Sequence, residues 1–140
     1  MVEEMFFTLK GGKASLRQMF VGSDIFLLFE EQSTRTYTSF AKAALSLGMS
    51  IIPAQDAGKI SSFGKGESYK HNAAVLSRLY PDVQVMRLKK PGSVALSARQ
   101  SRSPVINAGD GPGPADHETG EHPTQALLDI YTIWSLLQGK

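Results

Sequence analysis

The chain alternates short, nearly continuous apolar runs with longer stretches in which apolar residues recur at helical spacing. The runs are Ile25-Phe26-Leu27-Leu28-Phe29, Ser50-Ile51-Ile52, Val83-Gln84-Val85-Met86 and Pro104-Val105-Ile106. Being continuous rather than alternating, they predict strands covered on both faces. Between them, Phe40, Ala43, Ala44 and Leu47 carry the i, i+3, i+4, i+7 spacing of a helix, and Gly48 supplies a stop. A second helix is expected from about Tyr69 to Tyr80, with Ala73, Leu76 and Tyr80 on one face, and a weaker one from about Ser93 to Gln100. The last runs from His122 to about Leu137, with Ala126, Leu127, Ile130, Ile133 and Leu137 apolar. The stretch from Glu3 to Phe20 also reads as helical, broken at Gly11-Gly12, and Gly109 to Gly120 reads as a Gly/Pro/Asp-rich loop.

Strands that alternate with helices predict an α/β fold: a parallel sheet with helices on both faces and right-handed crossovers. In such sheets ligands sit where the carboxyl ends of strands hand over to helices. With 140 residues the chain is long enough for one domain with a real core.

Composition narrows the function classes. A net charge of +2, with basic residues scattered apart from Lys89-Lys90, leaves no nucleic-acid footprint. There is no cysteine, hence no disulfide and no thiolate metal site. No apolar run approaches the roughly 18 residues that would span a membrane. The start, Met1-Val2-Glu3-Glu4, is acidic and lacks a signal-peptide pattern. The expectation is a soluble, cytoplasmic single domain without nucleic-acid or membrane partners.

Two predicted helix starts carry candidate chemistry. After Phe29 comes Glu30-Glu31-Gln32 and then Ser33-Thr34-Arg35-Thr36. The first N–H groups of a helix lack partners within it and its dipole end is positive, which suits a phosphate. Ser33, Thr34 and Thr36 add hydroxyls, and Arg35 a guanidinium fork. The plainer alternative makes Ser33 or Thr34 only an N-cap and Arg35 a surface charge. The second start is Glu121-His122-Pro123-Thr124-Gln125, reached from Asn107-Ala108-Gly109-Asp110-Gly111. Proline is favoured just inside a helix, so His122 falls at the cap and Gln125 three residues on. A helix N-terminus disfavours imidazolium, so His122 is expected neutral at pH 7, able to donate one hydrogen bond to a carbonyl oxygen, or else to act merely as a cap. His117, Glu118, Glu121 and His122 raise a metal site, but their spacing matches no helical ligand pair, and none is expected.

Taken together these residues resemble the aspartate carbamoyltransferase family, within the aspartate/ornithine carbamoyltransferase superfamily. The likeness rests on Phe29-Glu30, on Ser33-Thr34-Arg35-Thr36 through Ser39-Phe40, and on Gly48 and Lys65-Gly66-Glu67-Ser68. It continues through Val85-Met86-Arg87, Pro104-Val105-Ile106-Asn107-Ala108-Gly109-Asp110-Gly111 and His122-Pro123-Thr124-Gln125-Ala126-Leu127-Leu128-Asp129. It covers about Ile25 to Ile133, and Thr124 is the form of the aspartate enzyme, where the ornithine enzyme usually has Cys.

The resemblance implies a Rossmann-like three-layer sandwich, spanning residues 1–140, that binds carbamoyl phosphate. It implies an activity: transfer of the carbamoyl group to the amine of L-aspartate, with release of phosphate, in pyrimidine synthesis. It also implies roles. Ser33, Thr34, Arg35 and Thr36 hold the phosphate, and Arg87 bridges phosphate and carbonyl. Thr36, Arg87 and His122 polarise the carbonyl oxygen, while Gln125 binds the carbamoyl nitrogen. Ser61 and Lys65 lie on a loop that reaches a neighbouring subunit's site in a homotrimer. No metal or cofactor is implied, and aspartate would be bound by a second domain for which this chain has no motifs. The chain departs from the family's pattern at Gln32 (usually Pro), Tyr37 (usually Arg) and Leu88 (usually His), and by extra residues in Gly111–Gly120. Two other readings stand beside this one: a non-catalytic or regulatory phosphate-binding domain, and a sibling carbamoyltransferase with another amino acceptor.

Overall fold

The computed structural model describes residues 16–31, 33–56, 68–79, 81–111 and 120–138. Its elements are β1 (Asp24–Phe29), α1 (Thr34–Leu47), β2 (Ser50–Ala54), α2 (Tyr69–Leu76, continued by a 3₁₀ turn over Ser77–Leu79), β3 (Val83–Arg87), α3 (Ser93–Ala98), β4 (Val105–Asn107) and α4 (Pro123–Gln138). All four strands are parallel and lie in the order β2-β1-β3-β4, with Ile25 opposite Ile51 and Val83, and Val85 opposite Ile106.

The period of two along each strand sorts the apolar residues into two cores. Ile25, Leu27, Phe29 and Val85 face one way and pack with Ala44, Phe40 and Ala41 of α1. Phe26, Leu28 and Met86 face the other way and meet Tyr69 and Leu76 of α2 and Val94 of α3. Helices therefore cover both faces, the expected three-layer α/β arrangement. Leu27, Phe29, Val85 and Met86 are sealed from solvent, and each such side chain contributes about 1.5–3 kcal/mol of burial.

The topology follows from handedness. From β1 the chain moves to one side of the sheet through α1, and from β3 to the other side through α3. Right-handed crossovers in opposite directions must use opposite faces, as observed. The two paths diverge between β1 and β3, which makes the crevice at their carboxyl ends the switch point where ligands bind in such sheets.

Several element ends differ from the sequence expectation. Strand β2 runs on through Pro53 to Ala54, because it is an edge strand where a missing N–H is tolerated. Helix α2 tightens to 3₁₀ at Ser77, and α3 stops at Ala98. Of the helix expected to Phe20, the described part turns from Arg17 to Gly22. There Phe20 donates its N–H to the Leu47 carbonyl, satisfying the last turn of α1. The rest of that expected helix, residues 3–15, lies outside the described residues, as does Tyr80.

Candidate functional site

Helix α1 begins directly after the buried end of β1. Ser33 occupies its N-cap position, and its carbonyl accepts the Tyr37 N–H at 2.9 Å, but its side chain makes no capping hydrogen bond. Its hydroxyl is thus not spent on the helix, and the first-turn N–H groups keep their capacity for an anion. The plain N-cap alternative for Ser33 does not describe the geometry. Arg35 is exposed, and among the described residues no carboxylate pairs with it.

Arg87 ends β3 and points at the next strand's exit, where its Nη1 donates to the Ala108 carbonyl at 3.1 Å. Gly109 follows at φ +118, its N–H bound by Asn107 Oδ1 at 2.8 Å. A Cβ at Gly109 would stand 3.0 Å from Arg87 Nη1 and 3.3 Å from His122 Cδ2. The bare backbone is what lets the guanidinium and the imidazole come in over the same spot.

His122 is the N-cap of α4. Its carbonyl accepts the N–H groups of Gln125 (3.0 Å) and Ala126 (3.2 Å). Its Nδ1 also lies 3.3 Å from the Gln125 nitrogen and 3.2 Å from Thr124 Oγ1. The ring therefore does cap the helix, as the plain reading had it, and capping decides its chemistry. Nδ1 acts as acceptor, so the proton of the neutral ring sits on Nε2. Burial, and then the Arg87 cation, hold the His122 pKa below the usual histidine value. Gln125 donates its Nε2 to Asp129 Oδ1 at 2.9 Å, one turn on, which leaves Oε1 as the free end.

These pieces line one open cleft of about 1020 Å³. Seven residues expected from the sequence meet there: Ser33, Thr34, Arg35 and Thr36 from α1, Arg87 from β3, and His122 and Gln125 from α4. Ser61 and Lys65 lie outside the described residues, as do Gln32, His117 and Glu118. Sequence reasoning had not assigned Ser39, Ala43 and Leu128 to the site, yet they line it too. Helical spacing was the available signal, since Ser39 and Ala43 follow Thr36 by three and seven residues and Leu128 follows Thr124 by four. Gly109 and Asp110 also shape the site through long-range packing. Among the described residues no cluster of three His, Cys, Asp or Glu is placed to hold a metal ion.

Beside the cleft, buried Glu30 accepts the Tyr69 hydroxyl at 3.0 and 3.1 Å and the Lys89 N–H at 2.8 Å. Burial and the Glu30 carboxylate push the Tyr69 phenol up to about 12. The pair ties the start of α2 to the exits of β1 and β3. Tyr37 packs edge-on against Phe29, with ring centroids 5.3 Å apart, and Leu88 is buried in the second core. Two of the departures from the family pattern are therefore absorbed by packing.

Comparison with known proteins agrees with this geometry. Residues 4–135 match the model of the aspartate/ornithine carbamoyltransferase carbamoyl-P binding domain. The multifunctional protein CAD of Squalus acanthias is 50% identical over 106 residues, 76% of this chain and 4% of that protein. The aspartate carbamoyltransferase catalytic subunit of Gluconacetobacter diazotrophicus is 41% identical over 130 residues, 93% of this chain and 38% of its own. The crystal structure of Trypanosoma cruzi aspartate transcarbamoylase in complex with carbamoyl phosphate and aspartate superimposes with a TM-score of 0.74 at 34% identity, covering 95% of this chain and 40% of that one. The chain thus spans well under half the length of these relatives. With the parallel sheet, the cleft at its switch point and these matches in hand, the chain belongs to the aspartate/ornithine carbamoyltransferase family and carries its carbamoyl-phosphate-binding domain.

Proposed function

We propose that this chain supplies the carbamoyl-phosphate half of an aspartate carbamoyltransferase active site, forming N-carbamoyl-L-aspartate and phosphate in pyrimidine synthesis. The observation that carries this reading is the convergence of an uncapped, cationic helix start, Arg87 and a neutral Nε2–H imidazole on one cleft. The α1 end suits a phosphate dianion: Ser33, Thr34 and Thr36 offer hydroxyls, backbone N–H groups point outward, and Arg35 offers a two-pronged donor. The α4 end suits an amide: His122 Nε2–H donates to the carbonyl oxygen and Gln125 Oε1 accepts from the carbamoyl nitrogen. Arg87 lies between the two.

The chemistry asked of these groups is electrostatic. The aspartate amine attacks the carbonyl carbon, and the C=O π pair moves onto oxygen. The carbonyl then re-forms, phosphate leaves with the C–O bonding pair, and the proton shed by the amine passes to the departing phosphate. Donors aimed at charge that develops in the transition state are usually the largest catalytic term, each worth about 100-fold or more in rate. Thr36, Arg87 and His122 serve the oxyanion, and Ser33, Thr34 and Arg35 the departing phosphate. Ser61 and Lys65 complete the phosphate side from a neighbouring subunit of a cytoplasmic homotrimer.

Aspartate would be held by a further domain. The surface of α4 supports this: Leu127, Ile130, Ile133 and Leu136 are more than half exposed, with Leu136 at 68%. A helix this apolar on its open side is a docking surface rather than a solvated one. Calorimetry with carbamoyl phosphate on the wild type and on Arg35→Ala tests the phosphate assignment. Heat of binding should be lost in the variant, and equal heats would overturn the reading. Efficient carbamoyl-aspartate formation by this chain alone would overturn the half-site part of it.

A further inference from the structure

Asp110 is 3% exposed and has no place in the chemistry above, yet its carboxylate is fully engaged. Oδ1 accepts the Glu121 N–H at 2.6 Å and Oδ2 accepts the Gly92 N–H at 2.8 Å, while the Asp110 N–H donates to the Glu121 carbonyl at 3.1 Å. Residues 110 and 121 are therefore locked by two bonds that run in opposite directions. The lock stands one residue before His122. The backbones are in close approach there: a Cβ on Gly120 would collide with the Gly111 carbonyl, and one on Gly111 with the Lys89 carbonyl. On the other side, Leu88 donates its N–H to the Gly109 carbonyl at 2.9 Å, which joins the same knot to the residue after Arg87.

We propose that Asp110 is a positioning residue for His122: by holding the Glu121 backbone against the exit of β4, its carboxylate sets where the imidazole stands over Gly109 beside Arg87. The inference rests on the functional reading above for its consequence in binding, but its structural content needs no ligand. The physical reason is sequence distance. Ten residues separate Asp110 from Glu121, and a connection of that length does not by itself fix the start of a helix to within a hydrogen bond. A buried carboxylate that accepts two backbone N–H groups does, because its bonds are charge-assisted and short. Among the described residues, the charges that act on the His122 ring are Arg87 of β3 and Asp129 of α4, so a shift of the ring relative to either changes how it titrates.

The test uses the full chain in three forms: wild type, Asp110→Asn, and Val94→Ala as a control that loosens the opposite face of the sheet. NMR titration of His122 comes first. In Asp110→Asn the midpoint should rise towards the ordinary histidine value and the Nε2–H tautomer should lose its dominance, whereas Val94→Ala should change neither. Calorimetry follows with inorganic phosphate and carbamoyl phosphate. In Asp110→Asn, affinity for carbamoyl phosphate should fall about two- to tenfold more than that for phosphate, the worth of one hydrogen bond. An unchanged His122 titration in Asp110→Asn, or an equal change in Val94→Ala, overturns the proposal. If Asp110→Asn fails to fold, Asp110→Glu keeps the charge and moves the clamp by one methylene, and it should shift the titration in the same direction. Failure of the wild type to bind either ligand would sink the functional reading, while the titration still decides the role of Asp110.

Discussion

The Nδ1 atom of His122 accepts the backbone N–H of Gln125 at 3.3 Å, so the helix that His122 starts also sets the side chain's tautomer. A proton added to the ring must go to Nδ1, and there it would meet the Gln125 N–H instead of accepting from it. Burial and Arg87 act in the same direction. His122 should therefore be neutral at pH 7 and titrate below the ordinary histidine value. The sign for stability follows. Between the folded and the unfolded pKa the unfolded chain binds more protons, so His122 costs stability as pH falls through about 6.5 and the loss levels off below its folded value. Imidazole NMR should show the Nε2–H form at pH 7, and Arg87→Gln should raise the titration midpoint. A midpoint at or above the ordinary value in the wild type would refute this account.

Gly109 separates the two groups that meet above it, and the space it leaves is small. Gly109→Ala places a methyl 3.0 Å from Arg87 Nη1 and 3.3 Å from His122 Cδ2, on a backbone at φ +118. The backbone cost alone is about 1–3 kcal/mol. Because His122 serves the carbamoyl end of the cleft and Arg87 stands between its two ends, carbamoyl phosphate binding should weaken more than phosphate binding. Thermal unfolding and calorimetry read the two effects separately.

Much of this arrangement was legible in the chain, and the reasons differ by element. Ile25–Phe29 is a run of five apolar residues whose shortness favours a covered strand, and Phe40, Ala43, Ala44 and Leu47 keep helical register up to Gly48. The apolar run of β2 ends at Ile52, but the strand continues to Ala54, because at a sheet edge Pro53 is tolerated. The sequence predicts helix through Phe20 where the chain turns from Arg17, because local periodicity does not report the long-range bond from Phe20 to Leu47. The site residues were legible wherever they sit at helix starts, where cap chemistry is local. Arg87 came from the family resemblance. The Asp110 clamp and the Glu30–Tyr69 pair were not legible, because each joins residues distant in sequence through contacts that only the fold creates.

The Glu30–Tyr69 pair gives a stability prediction. Tyr69→Phe removes the hydroxyl that satisfies a buried carboxylate, and among the described residues only the Lys89 N–H remains to it. The loss should be about 1–3 kcal/mol, the cost of an under-satisfied buried acceptor. The wild-type phenol should also resist ionisation until about pH 12, visible by absorbance as one tyrosine that titrates late. Unchanged stability in Tyr69→Phe would mean that the ring's packing, not its hydroxyl, matters.

Gln125 bears on selectivity. Its Nε2 donates to Asp129 Oδ1 at 2.9 Å, across one turn of α4, so the amide cannot turn its nitrogen outward without giving up that bond. Oε1 is left as an acceptor, the polarity needed for a carbamoyl NH₂. Acetyl phosphate, which carries a methyl group in that place, offers no donor. The wild type should therefore prefer carbamoyl phosphate to acetyl phosphate by about two- to tenfold, the net worth of one hydrogen bond. Gln125→Ala should erase the preference, and Asp129→Ala should reduce it by freeing the amide to rotate. An exposed i,i+4 pair contributes only about 0.2–0.5 kcal/mol, so Asp129→Ala should hardly move the melting temperature. Competition calorimetry on the three proteins measures the preference. If the preference is intact in Asp129→Ala, the carboxylate does not orient Gln125; if it is intact in Gln125→Ala, the carbamoyl nitrogen is read by another group.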